Sequence, residues 1–186
     1  MNSSLHWKSF ATLLMVCALL AGCGAGRTEH WAYIHAPEEE VLTLSADGSA
    51  VYKGEKVTCT KDGSFITLKD ASGTESLHRY VMDGDKMIFY ERSVYTRDAQ
   101  VAGSGVVGVW TQDNGWSYQF TEEGTFSEES IFHGHYSVDE AGGSIRLMYD
   151  DPIEDAVLYY QLSEDGNQLT IDYPWPMVHV DKSRSS

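Results

Sequence analysis

Trp116-Ser117-Tyr118-Gln119-Phe120, followed three residues later by Glu123-Gly124, decides how this chain folds. Side chains at 116, 118 and 120 fall on one face of an extended strand, because successive strand residues point to opposite sides. The glycine then supplies the positive φ that a tight reversal needs. The same pattern recurs along the chain. Leu42-Thr43-Leu44 leads into Asp47-Gly48, and Gln168-Leu169-Thr170-Ile171-Asp172-Tyr173 follows Asp165-Gly166, while Asp62-Gly63 and Asp83-Gly84 mark two further turns. No stretch carries a convincing helical apolar face. The expected fold is all-β, made of antiparallel meander sheets.

The two halves of the chain match. Trp31 corresponds to Trp110, and Leu42 and Leu44 before Asp47-Gly48-Ser49 correspond to Tyr118 and Phe120 before Glu123-Gly124-Thr125. Ile66 and Leu68 correspond to Ile145 and Leu147, Tyr80 and Met82 to Tyr160 and Leu162, and Met87 to Leu169, at offsets of 76 to 82 residues. Ordered matches at a near-constant offset point to an internal duplication. The spacing predicts a first β module at 30–96, a linker at 97–105, a second module at 106–182 and a tail at 183–186. About six strands are expected per copy. A core that small supplies only a few kcal/mol alone, so the two copies are expected to pack together.

The second copy, Gly108-Val109-Trp110 … Tyr118-x-Phe120 … Gly124-Thr125 … Gly134-x-Tyr136 … Ile145-x-Leu147 … Tyr160-x-Leu162 … Leu169-x-Ile171, resembles lipocalin-like modules of bacterial lipoproteins. In the first copy Glu29-His30-Trp31 replaces Gly-x-Trp and the resemblance is weaker. It implies a barrel or half-barrel and carries no catalytic residues.

The N-terminus has its own pattern. Lys8 precedes Phe10–Leu20, eleven residues without a charge. That length suits the apolar part of a signal peptide, roughly 7–15 residues, and is too short for a membrane span of about 20. Leu20-Ala21-Gly22-Cys23 resembles a bacterial lipobox, which implies a signal peptide at 1–22, cleavage before Cys23 and acylation of its sulfur. The alternative is an ordinary secretory leader cut at a nearby small residue. On the lipobox reading, residues 23–29 tether the protein to the lipid bilayer at the extracytoplasmic side of the cell membrane. Cys17 would leave with the leader, and Cys59, in Val57-Thr58-Cys59-Thr60, is expected as a buried thiol with no internal disulfide.

Charge restricts the partners. The chain has 28 acidic and 13 basic residues, a formal charge of −15. Only Lys8 lies in the leader, so the part after residue 22 carries −16. Such acidity argues against nucleic acid and anionic surfaces as direct partners.

Few motifs carry chemistry. Gly103-x-Gly105-x-x-Gly108 has the dinucleotide spacing but lacks the strand before it and the helix after it; it reads as a flexible joint. His133-Gly134-His135 places two imidazoles on one strand face, a weak metal candidate against a solvated pair. The acidic groups at Glu38-Glu39-Glu40, Glu128-Glu129, Asp150-Asp151 and Glu154-Asp155 lack calcium-loop spacing and read mostly as solvated turns. Trp116, Tyr159 and Trp175 are the candidate ligand-binding residues, with Trp175 alternatively plugging a barrel end after the prolines stop the last strand. No cofactor or catalytic residue is expected. The resulting expectation is a non-catalytic binding or interaction module, partnered by an unknown protein or small molecule. A lipid or glycan carrier is the alternative, and an envelope-polymer hydrolase using Asp150, Asp151, His133 and His135 is the third class.

Overall fold

The computed structural model describes residues 26–101, 103–150 and 152–180. Among them are fourteen antiparallel strands, seven per copy where six were expected. In the first copy these are β1 (Glu29–Tyr33), β2 (Glu40–Leu44), β3 (Ser49–Tyr52), β4 (Glu55–Asp62), β5 (Phe65–Lys69), β6 (Glu75–Asp83) and β7 (Lys86–Arg97). The second copy holds β8 (Gly108–Thr111), β9 (Ser117–Phe120), β10 (Thr125–Glu128), β11 (Phe132–Asp139), β12 (Ser144–Tyr149), β13 (Ala156–Leu162) and β14 (Gln168–His179). Each strand pairs with its sequence neighbour, and β1 closes onto β14. The acidic-glycine turns form as their sequence requires: Gly48, Gly63, Gly84, Gly124 and Gly166 all have positive φ.

A second pairing divides this circuit. β7 and β14, the last strands of the two copies, pair along ten residues from Met87↔Met177 to Thr96↔Gln168. The outcome is two eight-stranded rings, β1–β7 with β14 and β7–β14, sharing a two-stranded wall. The duplication survives in the register. Shifting by 82 residues carries the pair Met87↔Met177 onto Leu169↔Tyr95, so the wall has an approximate twofold centred on Glu91↔Tyr173. The matched tryptophans follow with offsets of 79 and 82: Trp31 pairs with His179, and Trp110 with Arg97. In both rings the partner stacks on the tryptophan: His179 lies 3.8 Å from Trp31 and the Arg97 guanidinium 4.1 Å from Trp110. The sequence modules at 30–96 and 106–182 are therefore not spatially separate, since each ring includes a strand of the other copy.

Eight strands enclose a space that side chains can fill. Trp31, Leu42, Leu44, Ile66, Met87, Phe89 and Met177 fill the first ring. Trp110, Tyr118, Phe120, Ile145, Leu147, Leu158, Leu169 and Ile171 fill the second. Full burial of each large apolar side chain stabilises the fold by about 1.5–3 kcal/mol.

Three expectations are corrected. Pro174 and Pro176 do not end the last strand; β14 runs through both to His179. Along Tyr173–Pro176 the strand pairs only with β7, because its β13 pairing stops at Asp172 and its β1 pairing starts at Met177. The Pro176 carbonyl accepts from Ile34 N at 3.0 Å, so residue 176 faces away from β7 and its missing N–H costs the shared wall nothing. The joint at 97–105 is pinned as well. Arg97 donates to the carbonyls of Gly166 (2.8 Å), Val107 (2.5 Å) and Gly105 (2.7 Å) while lying over Trp110. Finally, Cys59 is buried as expected but its sulfur is in a disulfide. The sequence holds two other cysteines, Cys17 and Cys23. The leader, Cys23 and the tail at 183–186 lie outside the described residues.

His78 is a buried polar group in the first ring. Its Nδ1–H donates to the Tyr90 carbonyl at 3.1 Å, which leaves Nε2 to accept from Ser76 Oγ at 3.0 Å; the ring stacks on Phe89. Burial pushes its pKa below the usual 6.5, outweighing the backbone bond and the charges of Glu91 and Asp172. A histidine held neutral stabilises the fold above its unfolded pKa, and that contribution is lost as pH falls toward the lowered folded value. Thermal melts of wild type should therefore lose stability as pH drops below about 6.5. In His78→Leu, which places here the residue found at the matching position 158, that slope should flatten. An unchanged slope would assign it to other groups.

Candidate functional site

The second ring is not filled to its end. Where it meets the first ring on the shared wall, a cavity of about 430 Å³ opens to solvent. The wall contributes Glu91, Ser93 and Tyr95 from β7 and Tyr173 and Trp175 from β14, all on the inward face that period-two alternation creates. Tyr118 from β9, Glu128 from β10 and Tyr149 from β12 form the deep side, and Trp116 and Ile153 stand at the more exposed rim.

Glu128 dominates the chemistry. It is only 5 % exposed, yet no Lys, Arg or His forms an ion pair with it among the described residues. Three neutral donors hold it instead. Tyr118 Oη donates to Oε1 at 2.8 Å, Trp116 Nε1 to the same oxygen at 3.2 Å, and Tyr149 Oη to Oε2 at 2.7 Å. Burial first, then the nearby Glu128 charge, pushes the Tyr118, Tyr149, Tyr95 and Tyr173 hydroxyls well up, so all four stay protonated at physiological pH. The loop after Glu128 is strained. Glu129 and Ser130 sit at φ of 55° and 56° without being glycine, at a cost on the order of 1–2 kcal/mol each. Glu129 then caps the Ser117 amide, tying this loop to the strand that carries Tyr118.

The matching corner of the first ring is built differently. Tyr52 occupies the β3 position that corresponds to Glu128 on β10: Tyr52 pairs with Leu42, and Glu128 with Tyr118. There the carboxylate comes from Glu91, which Lys53 Nζ meets at 2.7 Å and the Tyr33 hydroxyl also reaches. Copy one neutralises its acid with a cation; copy two does not.

Of the sequence candidates, Trp116 and Trp175 come together in this cavity, and Trp175 lines it rather than plugging a ring. Its neighbours are Tyr173 at 5.1 Å, Tyr33 at 5.4 Å and His35 at 5.7 Å. Tyr159 goes elsewhere: it packs outside, edge-on to Tyr90 at 5.3 Å with the Arg79 guanidinium 4.2 Å from its ring. His133 and His135 are exposed and share a shallow outer groove with Asp150; Asp151 lies outside the described residues. Among the described residues no three potential ligands gather around a metal-sized site. Glu128, read from sequence as part of a solvated turn, is the main residue that reading missed. The signal was present, because Phe126-x-Glu128 places the acid on the inward face.

Compared with known proteins, the chain matches no family model, no curated protein and no solved structure.

Proposed function

We propose that this protein is a membrane-anchored lipoprotein of the cell envelope that binds a small ligand in the cavity between its two rings, without catalysis. The observation that carries the binding reading is the cavity itself. Its volume of about 430 Å³ lies in the range of roughly 300–1,000 Å³ common to small-molecule sites, and few polar groups converge among many aromatic ones. Both carboxylates are already committed. Glu91 is paired with Lys53 and Glu128 is held by three donors, an arrangement suited to fixed charges rather than to proton shuttles. The lipobox residues Leu20 to Cys23 support the anchor, and the cavity favours a small-molecule carrier over a purely protein-binding module.

Native mass spectrometry of the full-length gene product, extracted from bacterial membranes in detergent, tests both parts. The expected result is an N-terminus at Cys23 carrying acyl chains, together with a discrete noncovalent mass lost on denaturation. Trp116→Ala and Trp175→Ala should each weaken retention of that mass by about tenfold or more. An unmodified N-terminus would overturn the anchor. A bare protein would overturn the carrier and redirect attention to the outer faces.

A further inference from the structure

Resting on the reading of this cavity as a ligand site, we propose that its ligand is an organic cation with an alkyl-substituted ammonium head, countered by Glu128. The donors gathered on Glu128 bear on its charge. An indole N–H can only donate, so Trp116 requires an accepting oxygen, and two tyrosine hydroxyls point at the same carboxylate. Three donors on two oxygens are the hydrogen-bond pattern that favours the charged form of a carboxylate. That charge is buried, and no protein cation pairs with it among the described residues, since Lys53 is drawn to Glu91. A charge withdrawn from water without a counter-ion is costly. A cationic ligand offsets that cost; a neutral or anionic one does not.

The donor pattern also selects the kind of cation. A carboxylate has about four acceptor directions, and Glu128 has committed three of them. A metal ion needs several ligands at once, and no three His, Cys, Asp or Glu are gathered for one among the described residues; a primary ammonium needs acceptors for three N–H groups, more than Glu128 has left. An alkylated ammonium head needs neither. It carries diffuse charge, exposes methyl or methylene groups and is held by aromatic rings. Trp116, Tyr149, Tyr173 and Trp175 supply rings that line the same cavity as Glu128. The net charge of −15 draws cations toward the mouth.

Choline and its uncharged carbon isostere, 3,3-dimethylbutan-1-ol, separate charge from shape. Binding to the full-length protein in a polyoxyethylene detergent is followed by tryptophan fluorescence and by saturation-transfer NMR. Choline is expected to bind roughly tenfold or more tightly than the isostere, and Glu128→Gln should remove that preference while leaving isostere binding in place. The wild-type comparison stands even if the variant fails to fold. Equal or tighter binding of the isostere overturns the cation proposal, as does capture of maltose with no response to choline, and both leave the cavity as a ligand site. If neither probe, nor maltose, nor any host-derived mass binds, the cation proposal and the cavity reading fall together.

Discussion

Trp110→Ala is expected to destabilise the protein by about 3–5 kcal/mol and to weaken both rings in one transition. Trp110 is fully buried, and its Nε1 donates to the Val106 carbonyl at 2.7 Å. Removing the indole leaves a void in the second core and an unmet acceptor at Val106, just past the joint. Arg97 loses the ring beneath it, and the same guanidinium binds the carbonyls of Gly105, Val107 and Gly166. The loss spreads because β7 and β14 belong to both rings: β14 pairs with β13 at one end and with β1 at the other. Neither ring is closed without the ten-residue wall they share. Trp31→Ala, at the matching position, should therefore act on the same transition from the other side. Calorimetry is expected to show one unfolding peak for wild type and both variants, with Tm lowered by roughly 10 °C in each variant. Two separated peaks in either variant would mean that the rings fold independently.

Gly134→Ala should be comparably severe for a different reason. A Cβ at Gly134 would lie 2.0 Å from the Met148 carbonyl oxygen and 2.9 Å from Phe126 Cε1. The obstacle is the backbone of β12, which cannot rotate aside as a side chain can. Relief requires lifting β11 from β12 at the Gly134↔Tyr149 pair, at an expected cost above about 3 kcal/mol. Tyr149 holds Glu128, so any folded remainder should also lose the ligand preference. Gly124→Ala is the control. Its new Cβ would sit an ordinary 3.7 Å from the Tyr136 carbonyl, and only its φ of 78° is strained, worth about 1–2 kcal/mol. Urea titration of both variants measures the difference, and equal midpoints would reject the packing argument.

How much of this was legible depends on the range of the physics involved. Alternation around Tyr118 and Phe120 and the acidic-glycine turns are local, so the strands could be read directly. The duplication was legible too, because matching residues keep their order. Tyr159 shows where that reasoning stops. Period two assigns neighbouring residues to opposite faces, but Tyr159-Tyr160 looks the same whichever face is inside. The prolines misled for a related reason: a proline breaks only the pairing its nitrogen faces, and which side that is depends on strand order. Trp116 and Trp175 could be picked out as aromatics, but not as neighbours across one cavity.

Sequence alone determined an all-β chain in two related copies, because strand periodicity and turn chemistry act over a few residues. Pairing of β7 with β14, the two shared-wall rings and the cavity at their junction were decided only in three dimensions. The same holds for the burial of Glu128. Those features join residues tens of positions apart, and the environment of a carboxylate is set by what the fold brings around it.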